Sequence, residues 1–132
     1  MLDSISSRRF ADVLVVGVAG RLDHDTSKAF GERVDALAQA MAPGTGAMVL
    51  DLANVDYISS SGLNALVMLF RQAKTRGQRV HVAALQPMVA EMFEISHLSL
   101  MTHVFPTTRE AVAAVSSEAA AAFMVADTAP PK

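Results

Sequence analysis

Three consecutive serines and a glycine, Ser59-Ser60-Ser61-Gly62, join an apolar strand-like segment, Ala47 to Leu52, to an amphipathic helical pattern opening near Ser61. A serine at a helix start accepts a hydrogen bond from an otherwise unpaired backbone N–H. One serine meets that need, so three leave room for another role. The same helix start gathers free N–H groups and the positive end of the macrodipole, where an esterified phosphate is electrostatically tolerated. On residue chemistry alone, a plain cap with a polar turn is the simpler account, and a phosphoacceptor serine is the alternative.

Other chemistries are served less well. A serine-hydrolase elbow reads G-x-S-x-G, and Tyr57-Ile58-Ser59-Ser60-Ser61-Gly62 lacks the leading glycine. His24, His81, His97 and His103 have no metal-ligand spacing, and nothing in the sequence places one beside the serines. Pro43-Gly44-Thr45-Gly46 lacks the Lys-Ser or Lys-Thr pair of a phosphate-binding loop. Asp23, Asp25, Asp51 and Asp56 would bind Mg²⁺ if they clustered. A helix cap at Asp25 and solvated turns at Asp51 and Asp56 are the simpler account. No catalytic residue, metal or cofactor is expected. Arg71, Lys74, Arg76 and Arg79 read as a solvated face, with partner binding as the lesser alternative.

The elements that position these residues follow from periodicity. Ile5 to Arg9 is polar and weakly strand-like, as at a sheet edge, and Ala11-Asp12 makes a turn. Val13 to Ala19 reads as a buried strand, and Gly20 to Asp25 as a polar connection. Thr26 to Met41 carries Phe30, Val34, Leu37, Ala38 and Met41 on one helical face, and residues 42–46 stop it. After the serines, Leu63, Leu66, Val67, Phe70 and Ala73 form a second stripe, closed by Gly77. Val80 to Leu85 alternates as a strand, and Pro87 opens a third helix with Val89, Met92 and Phe93 inward. Leu98 to Phe105 holds a short strand, and Thr107 or Thr108 caps a last helix through Val115.

Strands alternating with helices imply parallel crossovers, so the expected fold is a single α/β domain with a mixed, mostly parallel sheet and about four helices. An antiparallel hairpin should lie at its edge. Residues 1–115 form the domain, and the Ala-rich segment 116–132 is expected to extend the last helix or be disordered, adding little stability. The loops that qualify for function are Arg21 to Asp25 and Ala53 to Gly62. A formal charge of −2 gives no case for nucleic acid. The absence of cysteine removes thiolate chemistry. The first residues lack a signal-peptide core, and no apolar run is long enough for direct membrane insertion, so a cytoplasmic protein is expected.

Three stretches together resemble the STAS domains, and among them the bacterial anti-sigma-factor antagonists. They are Gly20-Arg21-Leu22-Asp23-His24-Asp25-Thr26, then Leu50-Asp51-Leu52 with Val55 to Leu63, then Pro87 through Leu98. The resemblance covers about Phe10 to Val115 and is specific for the domain more than for one role. It implies a non-enzymatic protein that binds an anti-sigma factor serine kinase when unphosphorylated. Phosphorylation at Ser60 would release it, and a serine phosphatase would restore it. Ser59 stands where the family carries an acidic residue, which leaves Ser59 and Ser61 as alternative acceptors. Asp23 matches a family position that supports phosphorylation and partner contact, and His97 stands where the family often has Gly. The resemblance tips the reading of the serines towards a phosphoswitch. The expected partner-binding set is Asp23, Asp25, Ser59, Ser61, Gly62, Asn64, Met68 and Arg71. Met68 points about 100° away from Val67 around the helix, off the apolar stripe. The alternative role is an accessory STAS subunit of a membrane transport complex.

Overall fold

Alternate residues of the central strands serve two different cores. In the computed structural model, Leu14, Val16, Met48 and Leu50 face one core while Val13, Val15 and Val49 face another. Strands buried on both sides are near-continuous in apolar residues for this reason. The structure describes residues 2–41, 47–116 and 121–123. The helix stop at 42–46 and the rest of the C-terminal segment lie outside the described residues.

The chain runs β1 (Leu2–Phe10), β2 (Val13–Leu22), α1 (Ser27–Gln39), β3 (Ala47–Ile58), α2 (Ser60–Thr75), β4 (Arg79–Ala83), α3 (Pro87–Ile95), a 3-10 turn (Leu98–Leu100), β5 (Val104–Phe105) and α4 (Thr108–Val115). The sheet order is β1-β2-β3-β4-β5, with β1 antiparallel to β2 and every other pairing parallel. This is the mixed, mostly parallel α/β sheet with an edge hairpin that the periodicity implies. The stripes of α1, α2 and α3 (Phe30, Val34, Leu66, Phe70, Val89 and Phe93 among them) bury in one core. The opposite core takes Ala111 and Val112 of α4.

The strand carrying the serine stretch is longer than its alternation suggests. Gly17 pairs with Asp51 but Ala19 with Asn54, and Gly20 pairs with Val55 but Arg21 with Tyr57. Each shift inserts one extra β3 residue and reverses which parity faces inward. Leu52, Val55 and Ile58 therefore all reach the same core, although a spacing of three suits no uninterrupted strand. Residues 53–58 are thus strand rather than loop, and β2 likewise continues through Leu22. β4 is shorter than expected: Ala84 leaves it with φ 63°. His97 is left-handed at φ 61°, a conformation that costs a non-glycine residue about 1 kcal/mol. Thr107, not Thr108, caps α4, its hydroxyl accepting from Glu110 N–H at 3.1 Å.

Phe123 departs from the expectation for the C-terminal segment. It is buried in the second core, edge-to-face with Phe10 at 5.2 Å between ring centroids. The Arg8 guanidinium lies over both rings, at 5.2 and 5.8 Å.

His81 is a half-buried histidine at the β4–β5 joint. Its Nδ1 has no hydrogen-bond partner, and its ring sits edge-on to His103 at 5.5 Å and to Phe105 at 5.8 Å. Burial, then the charges of His103 and Arg79, hold its pKa below the ordinary histidine value. The unfolded chain consequently binds the proton more readily once pH falls below about 6.5. Stability is full above that pH and declines as pH drops from there towards the lower folded value. Thermal melts between pH 7.5 and 5 should show this decline, and His81→Gln should flatten it. An unchanged slope in that variant would show that His81 does not set it.

Candidate functional site

The end of β2 and the end of β3 are locked together where α2 begins. Leu22 C=O accepts from Ser59 N–H at 2.8 Å, and Leu63 N–H donates to Ser59 C=O at 2.9 Å. Ser59 is the N-cap of α2, its Oγ accepting from Gly62 N–H at 3.2 Å. The uncharged residue at the family's acidic position thus does the capping. That leaves Ser60, in the first helical turn, exposed and without a hydrogen bond of its own hydroxyl among the described residues. Ser61 is half-buried and Gly62 is buried.

Gly62 is needed for close approach. A Cβ there would lie 2.6 Å from the Leu22 carbonyl oxygen and 2.9 Å from Ile58 Cγ1. The nearer obstacle is backbone and already holds Ser59, so it cannot yield cheaply. Gly62→Ala should lower stability by about 1–3 kcal/mol, as overpacking does, and should displace the start of α2. A urea melt coincident with that of the parent protein would contradict this contact.

The neighbouring loop is organised by Asp23 rather than by Asp25, the expected cap. Asp23 Oδ1 accepts from Asp25 N–H at 3.0 Å and from Thr26 N–H at 3.2 Å. The Thr26 hydroxyl donates to Arg21 C=O at 2.7 Å and accepts from Asp23 N–H at 2.9 Å. Thr26 is the N-cap of α1 by position, and its side chain makes no cap bond. Asp25 fails as a cap because the loop spends it one residue early, with its N–H turned back to Asp23. Burial would raise the Asp23 pKa, but the hydrogen bonds from Asp25 and Thr26 outweigh it and hold the carboxyl below its ordinary value. Asp23 is therefore a fixed anion beside the α2 start at neutral pH.

Arg21 and Tyr57 complete this rim, although neither belongs to the partner-binding set expected from the sequence. They are paired across β2 and β3, with the guanidinium 4.2 Å from the ring centroid and Arg21 Nε 3.6 Å from Asp23 Oδ2. Only the shifted register brings them together, and no local pattern signals it.

Asp23, Asp25, Ser59, Ser60, Ser61 and Gly62 thus gather at one rim, around the joint of Leu22 and Ser59. Asn64, Met68 and Arg71 continue from Ser60 along α2 and are exposed, Met68 to 47%. Steps of four, four and three residues at about 100° each keep all four within an arc of about 80°. Met68 overlooks a shallow groove between α1 and α2, shared with Gly31, Glu32 and Gln72. Arg71 lies about 16 Å along the axis from Ser60, nearer the far end of the helix. Asp51 does not join the rim, because it pairs lower in the sheet, opposite Gly17. Among the described residues no three His, Asp or Glu side chains group as metal ligands, and no helix is long and apolar enough to cross a membrane.

This arrangement can do two things chemically. It offers an unengaged hydroxyl to a phosphoryl donor, and it offers an exposed helical stripe to a protein. Comparison with known proteins bears on the second. The chain is 36% identical over 91 residues to the "Putative anti-sigma factor antagonist BtrV" of Bordetella bronchiseptica, covering 67% of this chain and 76% of that one. The crystal structure of an anti-sigma factor antagonist from Mycobacterium paratuberculosis superposes with a TM-score of 0.72 at 25% identity, over 85% of this chain and 92% of the other. The antagonist SpoIIAA in its unphosphorylated form shares the fold, with a TM-score of 0.69 at 18% identity over 85% of this chain and 96% of its own. The STAS domain family model matches residues 4–111, spanning both halves of the rim and the helices behind it, and the chain belongs to the STAS domain family.

Proposed function

We propose that this domain is an anti-sigma-factor antagonist of a partner-switching pathway. Unphosphorylated, it binds an anti-sigma factor serine kinase through the rim and the α2 stripe. The kinase's ATP gives its γ-phosphoryl group to Ser60 Oγ, the complex dissociates, and a serine phosphatase hydrolyses the ester to restore binding. The observation that carries this reading is the division of labour at the helix start: Ser59 caps α2, and Ser60 is left exposed and unbonded. The anti-sigma factor antagonists among its relatives support the general role. The catalytic machinery and the nucleotide belong to the kinase, and the antagonist itself turns nothing over.

The test is capture of partners by the tagged domain from its native cell, with mass spectrometry of the partners and of residues 59–61. A co-purifying kinase of the histidine-kinase-like ATPase class, together with phosphate on Ser60, is the expected result. Co-purifying transporter subunits with unmodified serines would transfer the domain to the accessory-subunit role. Against the captured kinase, Met68→Asp should weaken binding at least tenfold without lowering the melting temperature, because Met68 is 47% exposed. Unchanged affinity would remove α2 from the interface.

A further inference from the structure

The far end of α2 carries a second feature, which shares only Arg71 with the proposed partner-binding stripe. Its last turn, the start of β4 and the segment from Leu100 to His103 line an open cleft of about 700 Å³. Arg71, Lys74 and Arg79 line it, no carboxylate does, and none of the three cations forms an ion pair among the described residues. The remaining wall combines Phe70, Ala73, Val80, Leu100 and Met101 with the polar groups of Gln78, His81, Thr102 and His103. Phe70 is buried within it, while Leu100 and Met101 stand 83% and 43% exposed at its edge. Small-molecule sites span about 300–1,000 Å³ and combine apolar walls with a few convergent polar groups.

Three unneutralised cations around one cleft repel one another, and an anion held between them relieves that repulsion. Arginine's planar fork matches a carboxylate in two parallel hydrogen bonds. A singly charged head loses less hydration than a phosphate dianion on entering a partly apolar cleft. The exposed leucine and methionine would leave water when an alkyl chain covered them.

We propose that this cleft binds a free amphiphilic carboxylate, its head among Arg71, Lys74 and Arg79 and its alkyl chain along Phe70, Leu100 and Met101. The site lies at the opposite end of α2 from Ser60, and its other two cations, Lys74 and Arg79, lie outside the proposed partner-binding stripe.

The probe is decanoate, titrated into the ¹⁵N-labelled full chain at pH 7.5 and constant ionic strength, with decanol as the uncharged control. Decanoate should produce saturable shifts at the amides of Gln78, His81 and Thr102, which line the cleft, and should bind at least tenfold more tightly than decanol. The double variant Lys74→Glu, Arg79→Glu should lose at least tenfold in decanoate affinity and keep its weak response to decanol. Leu100→Glu, at a position too exposed to disturb folding, should weaken both, and thermal melts check that each variant is folded. Equal binding of decanoate and decanol would reduce the cleft to an apolar patch and overturn the proposal. So would the absence of saturable shifts below the micelle range. Cosedimentation with phosphatidylglycerol vesicles without any response to free decanoate would assign the cations to a membrane surface and likewise overturn it.

Discussion

Ser60→Glu is expected to bind the partner kinase at least tenfold, and up to about a thousandfold, more weakly than Ser60→Ala, with both variants melting at the parent temperature. A phosphoserine brings about −1.5 to −2 charges at neutral pH. In the free domain that charge sits in the first turn of α2, where the dipole favours it by roughly 0.3–1 kcal/mol, and Ser60 is already in solvent. Nothing in the fold must move to accept it. The cap is unaffected, because the bond to Gly62 N–H comes from Ser59. In the complex the same charge must be stripped of water or must meet acidic groups. Each 1.4 kcal/mol of that cost is a tenfold loss. Ser59→Ala separates the two jobs. It should cost about 1 kcal/mol of stability through the lost cap while leaving Ser60 able to switch. Calorimetric titration of the three variants, with melts alongside, reads out both quantities. Equal affinity for Ser60→Ala and for stoichiometrically phosphorylated protein would end the phosphoswitch reading.

Phe123→Ala should destabilise the domain by about 3 kcal/mol, the lower end of the range for truncating a buried phenylalanine. Its ring fills the second core beside Phe10 and beneath the Arg8 guanidinium. Alanine would leave an apolar hollow at the sheet edge and remove the edge-to-face pair. Truncation after Val115 should cost at least as much. Urea denaturation of both proteins measures this, and a midpoint within error of the parent would show that the segment adds nothing. The variant bears on stability alone, since the Ser60 rim is built on the other core.

The sequence is most readable where one helix face meets one core. The stripes of α1 and α2, the proline start of α3 and the edge hairpin all follow local periods that burial preserves. Reading fails where two strands set the pattern jointly. The bulges of β3 put Leu52, Val55 and Ile58 three residues apart on one face, and a strand period of two rejects that spacing. The Arg21–Tyr57 stack depends on the same shifted register. At the α1 start, Asp23 and Asp25 are both sound cap residues, and only the turn geometry selects Asp23. Phe123 carries no burial signal in the sequence because a lone aromatic in an alanine-rich stretch has no period, and its partner Phe10 lies more than a hundred positions away. The serines were legible as a helix start from chemistry alone. Their division into cap and free hydroxyl needed the Ser59–Gly62 bond to be seen.

The late arrival of the second core has a consequence for biosynthesis. Val13, Val15 and Val49 wait for Ala111, Val112 and Phe123 to cover them. At about 5–20 residues per second, roughly 4 to 15 s separate the synthesis of Val49 from that of Phe123. The first core is complete in sequence once Leu98 has been made, and from then until Phe123 is added the chain carries one finished sheet face and one bare valine face. A chain terminated and released near residue 110 would therefore display the serine rim on a body still able to aggregate through its back.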